Sequence, residues 1–194
     1  QLLKLKEGAE INISANTQNH TNEESDHYMK QTVKASVFED LFSKEASCIT
    51  PVQRDEPGNL QLSGKGVLVG IVDSGVDYRH PAFLTVNGKS RILKLWDQSI
   101  PGNPPDGYQT GTEYTNGEIN EALALPFQEG RRLVPSEDVS GHGTAVLGVA
   151  AGSDFSPGTM NRGVAYESDL IVVKMGIPRR DSFPRTTELM LGVD

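Results

Sequence analysis

The run Val67-Leu68-Val69-Gly70-Ile71-Val72 most constrains the fold. It is continuously apolar, rich in β-branched residues, and bracketed by Gly64 and Gly66 before it and Gly75 after it. A run that short, without polar alternation, reads as a strand buried on both faces, the kind parallel sheets use. Ile171-Val172-Val173 is a second such run. Between them lies GTAVLGVAAG, residues 143–152, apolar and full of small side chains. It reads as a helix that packs closely against its neighbours. Strand, helix, strand in that order predicts a βαβ unit, and with it an α/β fold whose mostly parallel sheet is flanked by helices.

Other segments are placed around that frame. Arg91 to Trp96 predicts a further short strand. From Asp97 to Gly117 the chain is dominated by Pro, Gly, Asn and Thr, and reads as a long surface excursion inside an insertion near 84–135. It stops at Thr115-Asn116-Gly117-Glu118, a capping box, so a short helix is expected to about Leu125, with Pro126 helping to end it. Thr50 to Gly66 carries Pro51, Pro57, Gly58, Gly64 and Gly66 and reads as an extended connection. Residues 1–49 read as an N-terminal extension or propeptide remnant, polar from Ile11 to Tyr28 and briefly amphipathic from Val37 to Phe42. Asn12 and Asn19 stand in the glycosylation acceptor pattern, which polar sequence also generates by chance. Thr186 to Leu191 looks like the first turns of a helix, and no closing element follows before Asp194, so the chain is expected to be cut inside a fold.

Composition removes several function classes. The 194 residues give room for one domain, or at most two small ones. Eighteen Lys and Arg against 26 Asp and Glu give a net charge of -8. That balance argues against nucleic acid as a partner, which needs clustered cations. A single cysteine, Cys48, excludes an intrachain disulfide framework and any Cys-based zinc cluster. It has no spaced His partner and reads as a small hydrophobe rather than a nucleophile. No apolar stretch approaches the ~20 residues of a membrane span.

Two places carry chemistry. Asp73 follows the buried run directly, and parallel α/β sheets place their reactive groups at the carboxyl ends of strands. A capping role in the following turn is the structural alternative. Ser140-Gly141-His142-Gly143-Thr144 sets a histidine between two glycines at the start of the small-residue helix. The glycines would leave the ring accessible and the helix would fix it; a turn histidine without a role is the alternative. Together the two are a stronger signal. An Asp that accepts from one imidazole nitrogen fixes the tautomer, so the other nitrogen can take a proton from a nucleophile.

VGIVDSGVDYRHPAF (69–83) and GHGTAVLGVAAG (141–152) resemble the aspartate and histidine motifs of the subtilisin-like serine proteases, the subtilases. Gly163-Val164-Ala165, IVVKM (171–175) and Leu191-Gly192-Val193-Asp194 continue the resemblance, which covers about Thr50 to Asp194. Asp before His is the order of subtilisin. The resemblance implies a serine endopeptidase with Asp73 orienting the imidazole and His142 as general base, acting on protein or peptide substrates. It identifies 50–194 as the N-terminal part of a peptidase domain whose fold is incomplete in this chain, so the rest of that domain is an expected partner. His20, His27 and His80 match no catalytic position, and His80, beside Pro81, is expected to be structural. Ala145 stands where the family often has a second histidine, and Leu147 where it often has a small residue. The insertion RILKLWDQSIPG…GTEYTNGEINEALAL is similar to that of a clostridial and related bacterial subgroup. That subgroup includes the germination proteases called Csp, which implies an extracellular or spore-associated setting.

The family's serine lies in a Gly-Thr-Ser motif. Here Gly-Thr occurs at 111, 143 and 158, followed by Glu113, Ala145 and Met160. The chain therefore carries two of three triad members and is expected to be inactive alone. The competing reading from another class is a catalytically dead relative that acts as a regulatory or binding partner. No cofactor is required by the chemistry. Calcium is common in the family and stays open here, unassigned, because the family's sites do not map residue by residue onto this sequence. The segment after IVVKM borders the substrate cleft in the family. Here that places Arg179 and Arg180 as candidate substrate-binding cations.

Overall fold

The computed structural model describes residues 46–54, 57–154, 162–176 and 192–193. In chain order they form helix α1 (Ile49–Gln53), strand β1 (Leu68–Asp73), a single 3-10 turn (Pro81–Phe83) and strands β2 (Ile92–Asp97) and β3 (Thr112–Thr115). Helices α2 (Asn116–Ala124), α3 (Phe127–Leu133) and α4 (His142–Ala151) follow, and then strand β4 (Asp169–Lys174). Among the described residues the strands make one sheet in the order β1-β4-β2-β3.

The expected α/β architecture is present. β4 lies parallel to both β1 and β2, and β3 runs antiparallel to β2 at the far edge. The register sets Asp73 opposite Lys174 and Lys174 opposite Asp97, so the three carboxyl ends stand abreast. The fully buried Asp97 accepts from Ser136 Oγ at 2.6 Å and lies 3.4 Å from Lys174 Nζ. A buried carboxylate is tolerated because its oxygens meet donors and a cation.

The predicted helix is α4, and its apolar side chains do what their composition requires. Leu147 and Ala151 are fully buried and join Phe83, Ile92, Leu95, Ile119, Leu170 and Val172 in the core. At the core's edge Arg91 ties three segments together. Its guanidinium donates to Ser168 O at 2.7 Å, to Ala82 O at 2.9 Å, and to Ala151 O at the end of α4. Thr115 caps α2 as expected. Its Oγ1 accepts from Glu118 N, and the Glu118 carboxylate accepts from Thr115 N at 2.8 Å. Ile119 and Ala122 then turn inward.

Four expectations need correction. β1 is not buried on both faces among the described residues. Leu68 and Gly70 are exposed while Val69 and Ile71 are half-buried, because among the described elements α4 covers one face and β4 alone lies alongside. The connection before β1 is not wholly extended. Ile49–Gln53 makes a helical turn in which Pro51 sits early enough to need no amide partner, and Gln53 Nε2 donates to Gly163 O and Val164 O. The surface excursion contains β3, where Tyr114 pairs with Leu95 and is buried. Pro126 does more than end α2: it is the N-cap of α3.

Val37–Phe42, Thr186–Leu191 and nearly all of residues 1–49 lie outside the described residues. Among those described, no helix is long and apolar enough to cross a membrane.

Candidate active site

Asp73 is the last residue of β1 and His142 the first of α4. The structure brings their side chains together, with His142 Nδ1 2.7 Å from Asp73 Oδ1. The same oxygen accepts from Ser74 N at 2.7 Å. A carboxylate only accepts, so in the neutral ring Nδ1 carries the proton and Nε2 keeps its lone pair. The imidazole side chain is 69% exposed and the Asp73 side chain 17%. The acid is thus sheltered and the ring reaches into solvent. The hydrogen bond to Asp73 and that carboxylate's charge raise the His142 pKa above 6.5; the little burial there opposes them and the Asp138 charge adds to them.

The glycines of the motif serve a purpose other than leaving the ring open. A β-carbon on Gly143 would stand 2.2 Å from Gly75 O and 3.1 Å from Asp73 Cβ. Only glycine lets α4 approach the end of β1 this closely. Gly141 is the N-cap of α4 with φ 73°, a left-handed conformation that favours glycine.

A glycine N-cap has no side chain to satisfy the first amides of the helix. Neighbours outside the helix supply the acceptors for three of them. His142 N donates to Ser140 Oγ at 3.2 Å, Gly143 N to Ser74 Oγ at 3.0 Å and Thr144 N to Asp138 Oδ2 at 2.8 Å. Asp138 is the hub. Its Oδ1 accepts from Ser74 Oγ at 2.8 Å and Gly141 N at 3.0 Å, with Ser140 Oγ at 3.1 Å. Its Oδ2 also accepts from Thr144 Oγ1 at 2.7 Å. Thr144 Oγ1 in turn accepts from Asp77 N at 2.9 Å. Burial pushes the Asp138 carboxyl up, but hydrogen bonds from Thr144, Ser74 and Ser140 outweigh it and hold the pKa below the usual value. Sequence reasoning passed over Asp138, Ser74 and Thr144. The available signal was an acid shortly before a helix that begins on glycine.

The other candidates lie apart from this pair. His80 caps the 3-10 turn, its Nδ1 accepting from Ala82 N at 3.2 Å, a structural use. Cys48 is an exposed free thiol preceding α1. Arg179, Arg180, His20 and His27 lie outside the described residues. Among the described residues no three His, Cys, Asp or Glu side chains gather into a cation site.

A mostly parallel sheet flanked by helices, with Asp73 and His142 hydrogen-bonded at the carboxyl end of β1, defines an α/β protein. The chain belongs to the subtilase family, whose model matches residues 64–189. It is similar to the solved CspB protease of Clostridium perfringens, with 36% sequence identity and a TM-score of 0.64. That likeness covers 78% of this chain and 28% of the other, so the chain spans little more than a quarter of the protease it matches. The resemblance to the Csp group seen in the insertion agrees with this neighbour.

Proposed function

We propose that this chain is the Asp- and His-bearing part of a serine endopeptidase. The observation that carries the reading is the 2.7 Å contact between His142 Nδ1 and Asp73 Oδ1, with the ring otherwise open to solvent. Membership of the subtilase family and the likeness to a clostridial protease support it. In this reading Asp73 holds the ring and its tautomer. His142 Nε2 takes the proton of a serine hydroxyl as that oxygen attacks the scissile carbonyl, and then returns it to the leaving amine. This reading needs the serine from outside residues 1–194, where no Gly-Thr pair is followed by one. Substrates are proteins or peptides. Arg179 and Arg180 would pair with an acidic substrate side chain, at about 1 kcal/mol for a solvent-exposed pair.

The test uses the whole protein that carries this chain. Fluorophosphonate labelling and peptide hydrolysis should both occur, and Asp73→Asn and His142→Ala should each lower kcat by about 10³-fold or more. Residues 1–194 alone should hydrolyse nothing. A whole protein that binds peptides but takes no label and cleaves nothing would instead be the inactive regulatory relative. For the arginines, the Glu-to-Lys preference upstream of the cut should collapse in the Arg179→Ala, Arg180→Ala double variant.

A further inference from the structure

We propose that Asp138 is a positioning residue for the Asp73–His142 pair, its single carboxylate bridging the turn that carries the acid to the helix turn that carries the base. This rests on the serine endopeptidase reading above. The two side chains reach the site from different elements, β1 and α4, 69 positions apart in sequence. Their one mutual hydrogen bond ends on a largely exposed ring, which is a weak ruler for their separation. The Asp138 carboxylate is a better one. Through Oδ1 it holds Ser74, whose own amide donates to Asp73. Through Oδ2 it holds both the amide and the hydroxyl of Thr144, and through Oδ1 also the amide of Gly141, on either side of His142 in sequence. Ser74 Oγ closes the loop by accepting from Gly143 N.

Every described partner of Asp138 is a donor, and none of its oxygens meets an acceptor lacking a hydrogen. A carboxylate satisfies that arrangement and a carboxamide cannot. Asn in this place would turn an N–H₂ either onto the Thr144 amide or onto the Gly141 amide, and donor would face donor. The isosteric substitution therefore removes the bridge without removing volume. It also removes one of the two acids whose charges act on His142.

The experiment compares Asp138→Asn, Ser74→Ala and their double variant in the whole enzyme, with competent sites counted by fluorophosphonate labelling. Loss of folded protein is then not read as slow turnover. Asp138→Asn should lower kcat per labelled site by ~10–100-fold, the scale set by small misplacement of reacting groups, with KM within ~3-fold. The acid limb of kcat/KM should move to lower pH, which a purely structural role would not produce. Ser74→Ala, a smaller change expected to fold, should lower kcat in the same way but less. The double variant should resemble Asp138→Asn, because the two share one bridge. A kcat per site within ~2-fold of the parent in either single variant, a loss confined to KM, or additive losses in the double variant would overturn the proposal. His142→Ala separates the two levels. If it keeps activity, the endopeptidase reading falls; if it abolishes activity while Asp138→Asn does not, only the positioning role falls.

Discussion

Gly143 sits so close to Asp73 that a β-carbon on it would lie 3.1 Å from the Asp73 β-carbon, after first colliding with Gly75 O at 2.2 Å. Neither neighbour is the free end of a flexible side chain. Gly143→Ala must therefore move α4 off the end of β1, and His142 moves with it. The expected result is destabilisation of about 1–3 kcal/mol by overpacking, and a fall in kcat of about 10²-fold or more. Urea unfolding and turnover per labelled site measure the two separately. An alanine variant with parental turnover would mean that the helix and strand do not need this approach.

The pH profile has a definite sign. His142 must be neutral to act as a base, and Asp73 raises its pKa first by hydrogen bonding and then by charge. The acid limb of kcat/KM should thus have its midpoint above the ordinary ~6.5 of histidine, with activity lost as pH falls through it. Asp73→Asn should move the midpoint of the residual activity down. The same shift has the opposite sign for stability. A group whose folded pKa is raised adds stability that is fully present below the unfolded value and is lost as pH rises through the folded one. The exposed ring keeps that contribution small. NMR titration of the His142 ring and a kcat/KM profile should agree in direction.

Arg91 offers a test of the scaffold apart from the chemistry. Its guanidinium serves three carbonyls, on Ala82, Ala151 and Ser168, and burial lowers its pKa, partly offset by the charges of Asp169 and Glu167. Arg91→Met keeps the apolar stem but takes the guanidinium from Ala151 O and Ser168 O, while Ala82 O still accepts from Ser153 N and Oγ. The expected cost is roughly 2–5 kcal/mol, seen as a lower denaturation midpoint with an unchanged slope.

At the insertion, Thr115→Ala removes one half of the capping box on α2. A loss of about 1 kcal/mol is expected, with kcat unaffected, since α2 packs on β2, β3 and α3 and contributes no group to the Asp-His pair. Differential scanning calorimetry with parallel kinetics checks both halves of that statement.

The sequence was most legible where one signal sufficed. β1, β4 and α4 follow from continuous apolar runs, α2 from its cap, and Asp73 and His142 from motifs whose spacing could be read directly. β3 escaped because Thr-Glu-Tyr-Thr is short, polar and set among turn residues; it is a strand because β2 is there to pair with it. α3, FQEGRRL, escaped because it has a glycine and no apolar stripe. The full burial of β1 failed for the opposite reason. Its side chains are apolar enough, but among the described residues its neighbours cover one face. Asp138 has a local signal in the glycine-capped helix that follows it, but its link to Ser74, 64 positions away, is visible only once the two segments meet.

The order β1-β4-β2-β3 also sets a sequence of events. The strand that joins β1 to β2 is the last of the four to be synthesised, about a hundred residues after β1. A nascent chain that has just passed α4 already contains Asp73, Asp138 and His142, yet still lacks β4, which pairs with β1 among the described residues. Local hairpin pairing of β2 with β3 and the capped α2 can form early, whereas the acid and the base acquire a rigid floor only when β4 slides between two waiting edges. Such long-range closure is slow relative to local structure. The emerging polypeptide thus carries Asp73 and His142 in one chain well before it can hold them in one place.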